Sequence, residues 1–100
     1  MIVIADAFPV DGSKRAAIIE AANVMRGATV AEDGCVEYRF SFATDDENTV
    51  LVFEEWRDQD ALTAHFATPH MAVFQGLIVE FLVGRPVVSR YEVSSKGPLR

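Results

Sequence analysis

One hundred residues, half of them hydrophobic and 10% aromatic, suffice for one ordinary domain with a real core and leave little room for a second. Fifteen acidic against nine basic residues give a net charge of −6, which repels phosphate backbones and anionic membrane surfaces and so argues against both as partners. A single cysteine, Cys35, excludes an intrachain disulfide and fits a cytoplasmic protein, and no apolar run approaches the ~20 residues of a membrane span.

The N-terminal segment Met1–Asp6 lacks the basic region and long apolar stretch of a signal peptide. Residues 2–8 are β-branched and apolar and are stopped by Pro9, as a first strand should be. Asp11-Gly12-Ser13 offers a helix N-cap, and Ile18, Ala21, Ala22, Met25 and Ala28 then recur at helical spacing to about Val30. Asp33-Gly34 marks a turn. From 36 to 42, Val36, Tyr38, Phe40 and Phe42 alternate with Glu37, Arg39 and Ser41, the period of two of a strand with one buried face. The polar run 44–48 predicts a hairpin loop, with residues 49–57 as the returning strand. Asp58 caps a short helix holding Ala61, Leu62 and His65, and Thr68-Pro69 restarts it toward roughly Phe81. Gly84-Arg85-Pro86 ends that helix, and 87–93 alternate as a last strand.

This order, βαββαβ, predicts a ferredoxin-like α+β domain over 1–93, with both helices on one face of a four-stranded antiparallel sheet and a flexible tail at 94–100. Helices cover only one face, so a monomer should carry polar residues on the other. The first strand instead opposes Ile2, Ile4 and Phe8 to Val3, Ala5 and Ala7. The strand after the hairpin opposes Val50 and Val52 to Leu51 and Phe53. Burying both faces calls for a second layer, and a homodimer is its simplest source.

Three segments are distinctive: Gly34-Cys35-Val36-Glu37-Tyr38, Phe53-Glu54-Glu55-Trp56-Arg57-Asp58, and His65-Phe66-Ala67-Thr68-Pro69-His70. In their order and spacing the chain resembles the antibiotic biosynthesis monooxygenase family. The resemblance implies a dimeric α/β barrel with a cavity between sheet and helices. It implies substrates such as quinols, aromatic polyketides or small hydroxycarbonyl compounds. Some members oxygenate a phenol with molecular oxygen and no cofactor, others isomerise a small phosphorylated sugar-like compound, and others degrade haem. Haem-degrading members carry a first-strand asparagine, a tryptophan and a ligating histidine. This chain has Ala5-Asp6-Ala7, His65 and a residue near Gln75 at those places, so haem degradation is disfavoured.

Candidate site residues follow. Glu54 and Trp56 share a strand face, and Tyr38 joins them if Phe42 pairs near Val50, whereas a one-residue slip would reverse the faces. The helical segment brings His65, and with it His70, over the sheet. His65 is the expected base, with Glu54 as the carboxylate that orients it. Trp56, Tyr38 and Phe74 would line an aromatic slot, and Asp6 is either a pocket acid or a group tied to a neighbouring strand. Plainer roles compete: Trp56 as packing, Glu54 in an ion pair, Tyr38 in the core, His70 as surface decoration and Arg39 as an interface ion pair. Two histidines five apart, with Pro69 between them, do not share a helix face, so no metal site is expected. No glycine-rich phosphate loop, nucleophile elbow or Cys-x-x-Cys is present, so no cofactor is expected. The leading function is a cofactor-independent monooxygenase; an isomerase and a non-catalytic ligand-binding dimer are the alternatives.

Overall fold

In the computed structural model, which describes residues 1–100, the chain runs β1 (Ile2–Pro9), a 3₁₀ turn (Gly12–Lys14), α1 (Arg15–Thr29), β2 (Cys35–Phe42), β3 (Thr49–Trp56), α2 (Gln59–Phe66), α3 (Pro69–Ile78) and β4 (Val87–Glu92). The four strands form one antiparallel sheet in the order β2-β3-β1-β4, the ferredoxin-like arrangement. The caps act where the side chains predict: Asp11 accepts from the Ser13 N–H, Asp58 from Ala61, and Thr68 from Met71 with Pro69 opening α3.

The hairpin pairs Phe42 with Val50 and Tyr38 with Glu54, so Tyr38, Glu54 and Trp56 do lie on the helix-covered face. Two expectations change. The alternation of β2 fails at Val36, because a bulge between Cys35 and Glu37 sets two β2 residues against one of β3. Val36 is therefore 52% exposed, and Cys35, paired with Trp56, takes the core position expected of it. Helix α3 stops at Ile78 rather than near Phe81; the Phe81 and Leu82 N–H groups both bond back to the Ile78 carbonyl, and Phe81 drops into the core from that turn.

Ile2, Ile4, Ile18, Met25, Val50, Val52, Trp56 and Leu62 build the core between sheet and helices. The opposite face has no cover. Its cross-strand neighbours include Ala5 with Phe53 and Ala7 with Leu51 and Val87, and Leu51, Phe53 and Val87 are 40%, 43% and 67% exposed. Lys96 reaches back over this face to hold the buried Glu55 carboxylate at 2.9 Å. No helix is long and apolar enough to cross a membrane.

Candidate functional site

Polar groups are buried in two clusters along the seam between sheet and helices. The first stands on strands. Glu54 in β3 accepts a hydrogen bond from the Trp56 indole N–H at 3.0 Å, across the period-two spacing that puts both on one face. Asp6 in β1 lies close enough to Glu54 for the two carboxyls to influence each other's charge. Burial is the main cause that raises Asp6 to about 6 and Glu54 to about 7, the indole bond opposing it at Glu54. Asp6 Oδ1 is buried and has no partner. Tyr38 lies beside them, and burial together with the neighbouring Glu54 and Asp6 pushes its phenol far above the ordinary range.

A turn and two helices supply the second cluster. A single oxygen of Glu32, Oε2, lies 2.7 Å from His65 Nδ1 and 2.8 Å from His70 Nε2. Glu32 follows the end of α1 in a tight turn, where its N–H bonds the Thr29 carbonyl and its own carbonyl accepts from Cys35. Gly34 completes the turn at φ +85°, a left-handed conformation that glycine adopts without strain. The turn is tied to the end of β3 by the Arg57 N–H on the Gly34 carbonyl and by Arg57 on Asp33 at 3.2 Å. His65 sits in the last turn of α2 and His70 in the first turn of α3. Residues five apart on one continuous helix would face opposite sides. Here the Thr68-Pro69 break redirects the chain, and both rings converge on Glu32.

The aromatic rings link the clusters. His65 packs on Trp56 with centroids 4.7 Å apart and on Tyr38 at 5.4 Å. Trp56, Tyr38 and His65 are closed in at 0%, 3% and 1% exposure, and His65 Nε2 has no partner. An ionised Glu32 can only accept, so the contacted nitrogens of both histidines carry the hydrogens and a neutral ring keeps its lone pair on the other nitrogen. Open space lies elsewhere: between α1 and α3 runs an apolar cleft of about 200 Å³, lined by Met25, Val73, Phe74 and Leu77 among others, with His70 as its only polar side chain.

The residues expected at the site are thus divided. Glu54, Asp6, Trp56 and Tyr38 do come together. Glu54 does not touch His65; the carboxylate that holds that ring is Glu32, which the sequence reading missed. The expected slot splits too, because Trp56 and Tyr38 are packed shut while Phe74 and His70 face the cleft. Spacing alone does not keep the two histidines apart, because the bend at Thr68-Pro69 brings them together instead of parting them. Arg39 meets Glu37 at 3.5 Å on the uncovered face.

The sequence model of the antibiotic biosynthesis monooxygenase family matches residues 1–77. Over 98 residues the chain is 28% identical to the uncharacterized protein sll1783 of Synechocystis sp., covering 98% of this chain and 67% of that one. It is 30% identical over 80 residues to YcnE of Bacillus subtilis, whose name as a monooxygenase is itself provisional, covering 80% of this chain and 81% of YcnE. Among solved structures, a protein of Deinococcus radiodurans provisionally described as an antibiotic biosynthesis monooxygenase superposes with a TM-score of 0.90 at 20% identity, covering 100% and 99% of the two chains. Rv0793 of Mycobacterium tuberculosis superposes at 0.86 with 24% identity, covering 97% and 98%. At these identities the structural likenesses establish the fold.

Proposed function

Because the chain belongs to the antibiotic biosynthesis monooxygenase family, we propose that it is a cytoplasmic homodimer that oxygenates a single-ring quinol or phenol with molecular oxygen and without a bound cofactor. The observation that carries this is His70, set on an apolar cleft and held through Glu32 to His65. A cavity of about 150 Å³ already accepts benzene, so a cleft of about 200 Å³ suits one ring. The base is His70 rather than the His65 that the sequence alone favours, since His65 is enclosed and only His70 reaches the cleft.

The chemistry runs as acid–base work on the substrate. His70 takes the hydroxyl proton on the nitrogen turned away from Glu32, and the Glu32 carboxylate balances the imidazolium that forms. His65, bonded to the same oxygen, fixes that carboxylate in place. The phenolate passes one electron to oxygen, and the resulting radical pair combines at a ring carbon that bears hydrogen. The peroxide anion recovers the proton from His70, and loss of water from the H–C–O–OH carbon leaves a quinone carbonyl. One oxygen atom ends in the product and the other in water.

Oxygen uptake by the purified chain, given a panel of single-ring quinols, tests this reading. Uptake is expected, and His70→Gln should lower kcat by about 100-fold or more. Full turnover by that variant would remove His70 as the base. Silence across the panel would remove the oxygenase reading, and product formed without oxygen would point to isomerisation. The homodimer is supported by the uncovered apolar face around Leu51, Phe53 and Val87. A monomer in equilibrium sedimentation would overturn that part.

A further inference from the structure

We propose that Glu32, His65 and His70 form a binding site for one divalent transition-metal ion of the Zn²⁺ type. The three ligand atoms, two imidazole nitrogens and one carboxylate oxygen, all lie within 4.8 Å of one another. They come from three separate pieces of chain: the turn after α1, the end of α2 and the start of α3. Such a convergence does not arise from the periodicity of any one element.

The donor set decides the class of ion. Two imidazoles and one carboxylate suit Zn²⁺, Co²⁺, Ni²⁺ or Cu²⁺, whereas Mg²⁺ and Ca²⁺ prefer all-oxygen shells. An ion about 2.0–2.2 Å from each donor, in tetrahedral geometry, sets neighbouring donors roughly 3.3 Å apart. The present N···O separations of 2.7 and 2.8 Å must therefore widen by about half an ångström, and the two nitrogens, which lie within 4.8 Å of each other, must settle to the same spacing. His70, 23% exposed in its side chain, can give by that much, and the cleft it lines provides the route in. Glu32 and His65, at 13% and 1%, form the fixed floor. The ion displaces the two hydrogens that now join the rings to Glu32, and three protein ligands leave a fourth position for water or an anion.

The site uses the same atoms as the proton relay proposed above, and the two occupancies exclude each other. Zn²⁺ is accordingly expected to inhibit oxygen uptake, but the decisive test needs no substrate and so fails or succeeds apart from the oxygenase reading. Untagged protein is titrated calorimetrically with ZnCl₂, and Co²⁺ binding is followed by its visible d–d absorption. One ion per chain is expected, with no heat from MgCl₂. His70→Ala, at a partly exposed position where the fold survives, should weaken Zn²⁺ binding at least about 10-fold, as should Glu32→Gln; thermal melts establish that both variants are folded. Cys35→Ser should bind as the parent does. Absence of Zn²⁺ binding by the parent chain, unchanged affinity in folded His70→Ala, or loss of binding in Cys35→Ser would each overturn the proposal.

Discussion

The two buried clusters are built by opposite means. Asp6, Glu54 and Trp56 stand on neighbouring central strands, where the register Ile4–Glu54 and Ile2–Trp56 sets every side chain by ladder hydrogen bonds before any helix is added. Glu32, His65 and His70 stand on a turn, a helix end and a helix start, joined only by side-chain bonds across 33 and 38 residues of chain. The strand cluster is closed and serves the core; the other reaches a cleft and can serve a ligand. What differs is the cost of moving a member. A strand residue moves only with the sheet, whereas His70 can turn without breaking a backbone bond. Core burial thus sits on the rigid side and access to solvent on the adaptable one.

Removing the indole breaks the comparison at its rigid end. Trp56 is fully buried, and its N–H satisfies a buried carboxylate. Trp56→Ala should cost about 3–5 kcal/mol through the cavity it opens, with more added by the stranded Glu54 oxygen. Urea denaturation measures it. His70→Gln should lower the same unfolding free energy by less than about 1 kcal/mol, because its side chain is partly exposed. Equal losses in the two variants would mean that both clusters are structural, and the division would collapse.

The turn that carries Glu32 can be disturbed from outside the cluster. A Cβ on Gly34 would come within 2.5 Å of the Ala61 Cβ and would have to accept φ +85°. Gly34→Ala should therefore destabilise the chain by roughly 1–3 kcal/mol. It should also lower oxygen uptake by more than the unfolded fraction explains, because Glu32 lies two residues before it. Strand-side variants of equal stability, such as Val52→Ala, should lower uptake only in proportion to unfolding. If Gly34→Ala and Val52→Ala lose activity alike, the turn has no positioning role.

The same difference in construction governs how much of the site is legible in the sequence. Period-two spacing placed Glu54, Trp56 and Tyr38 on one face, and the pairing of Phe42 with Val50 turned that into contact. Local side-chain chemistry likewise marked Asp11, Asp58 and Thr68-Pro69 as helix starts. Val36 escaped because a bulge inserts one residue without changing the apparent alternation. Glu32 escaped for a different reason: a turn residue has no period, and nothing local says that two rings more than thirty residues away will meet it. The nearest signal was Gly34, whose left-handed conformation fixes the turn but does not name its occupant. The uncovered face was legible from Leu51 and Phe53, since two apolar faces on one strand need only counting.

The smallest expected effect concerns the two buried carboxyls of the strand cluster. Burial raises Asp6 from 3.8 to about 6 and Glu54 from 4.5 to about 7. The folded chain then holds more protons than the unfolded chain across that interval, so stability must fall as pH rises. The contribution is complete below the unfolded values, near pH 4, and is lost by the time pH passes about 7. Repulsion within a chain of net charge −6 acts in the same direction, so a falling curve alone would prove little. Glu54→Gln separates the two causes. The amide cannot ionise, and its carbonyl can still accept from Trp56. Asp6 loses its charged neighbour, while the surface charges remain. Urea midpoints taken between about pH 4 and pH 8 should therefore decline less steeply in Glu54→Gln than in the parent, the curves converging at the acid end and parting above about pH 6. Parallel curves would show that burial does not hold a proton on Glu54 through this interval, and that the fall belongs to the surface.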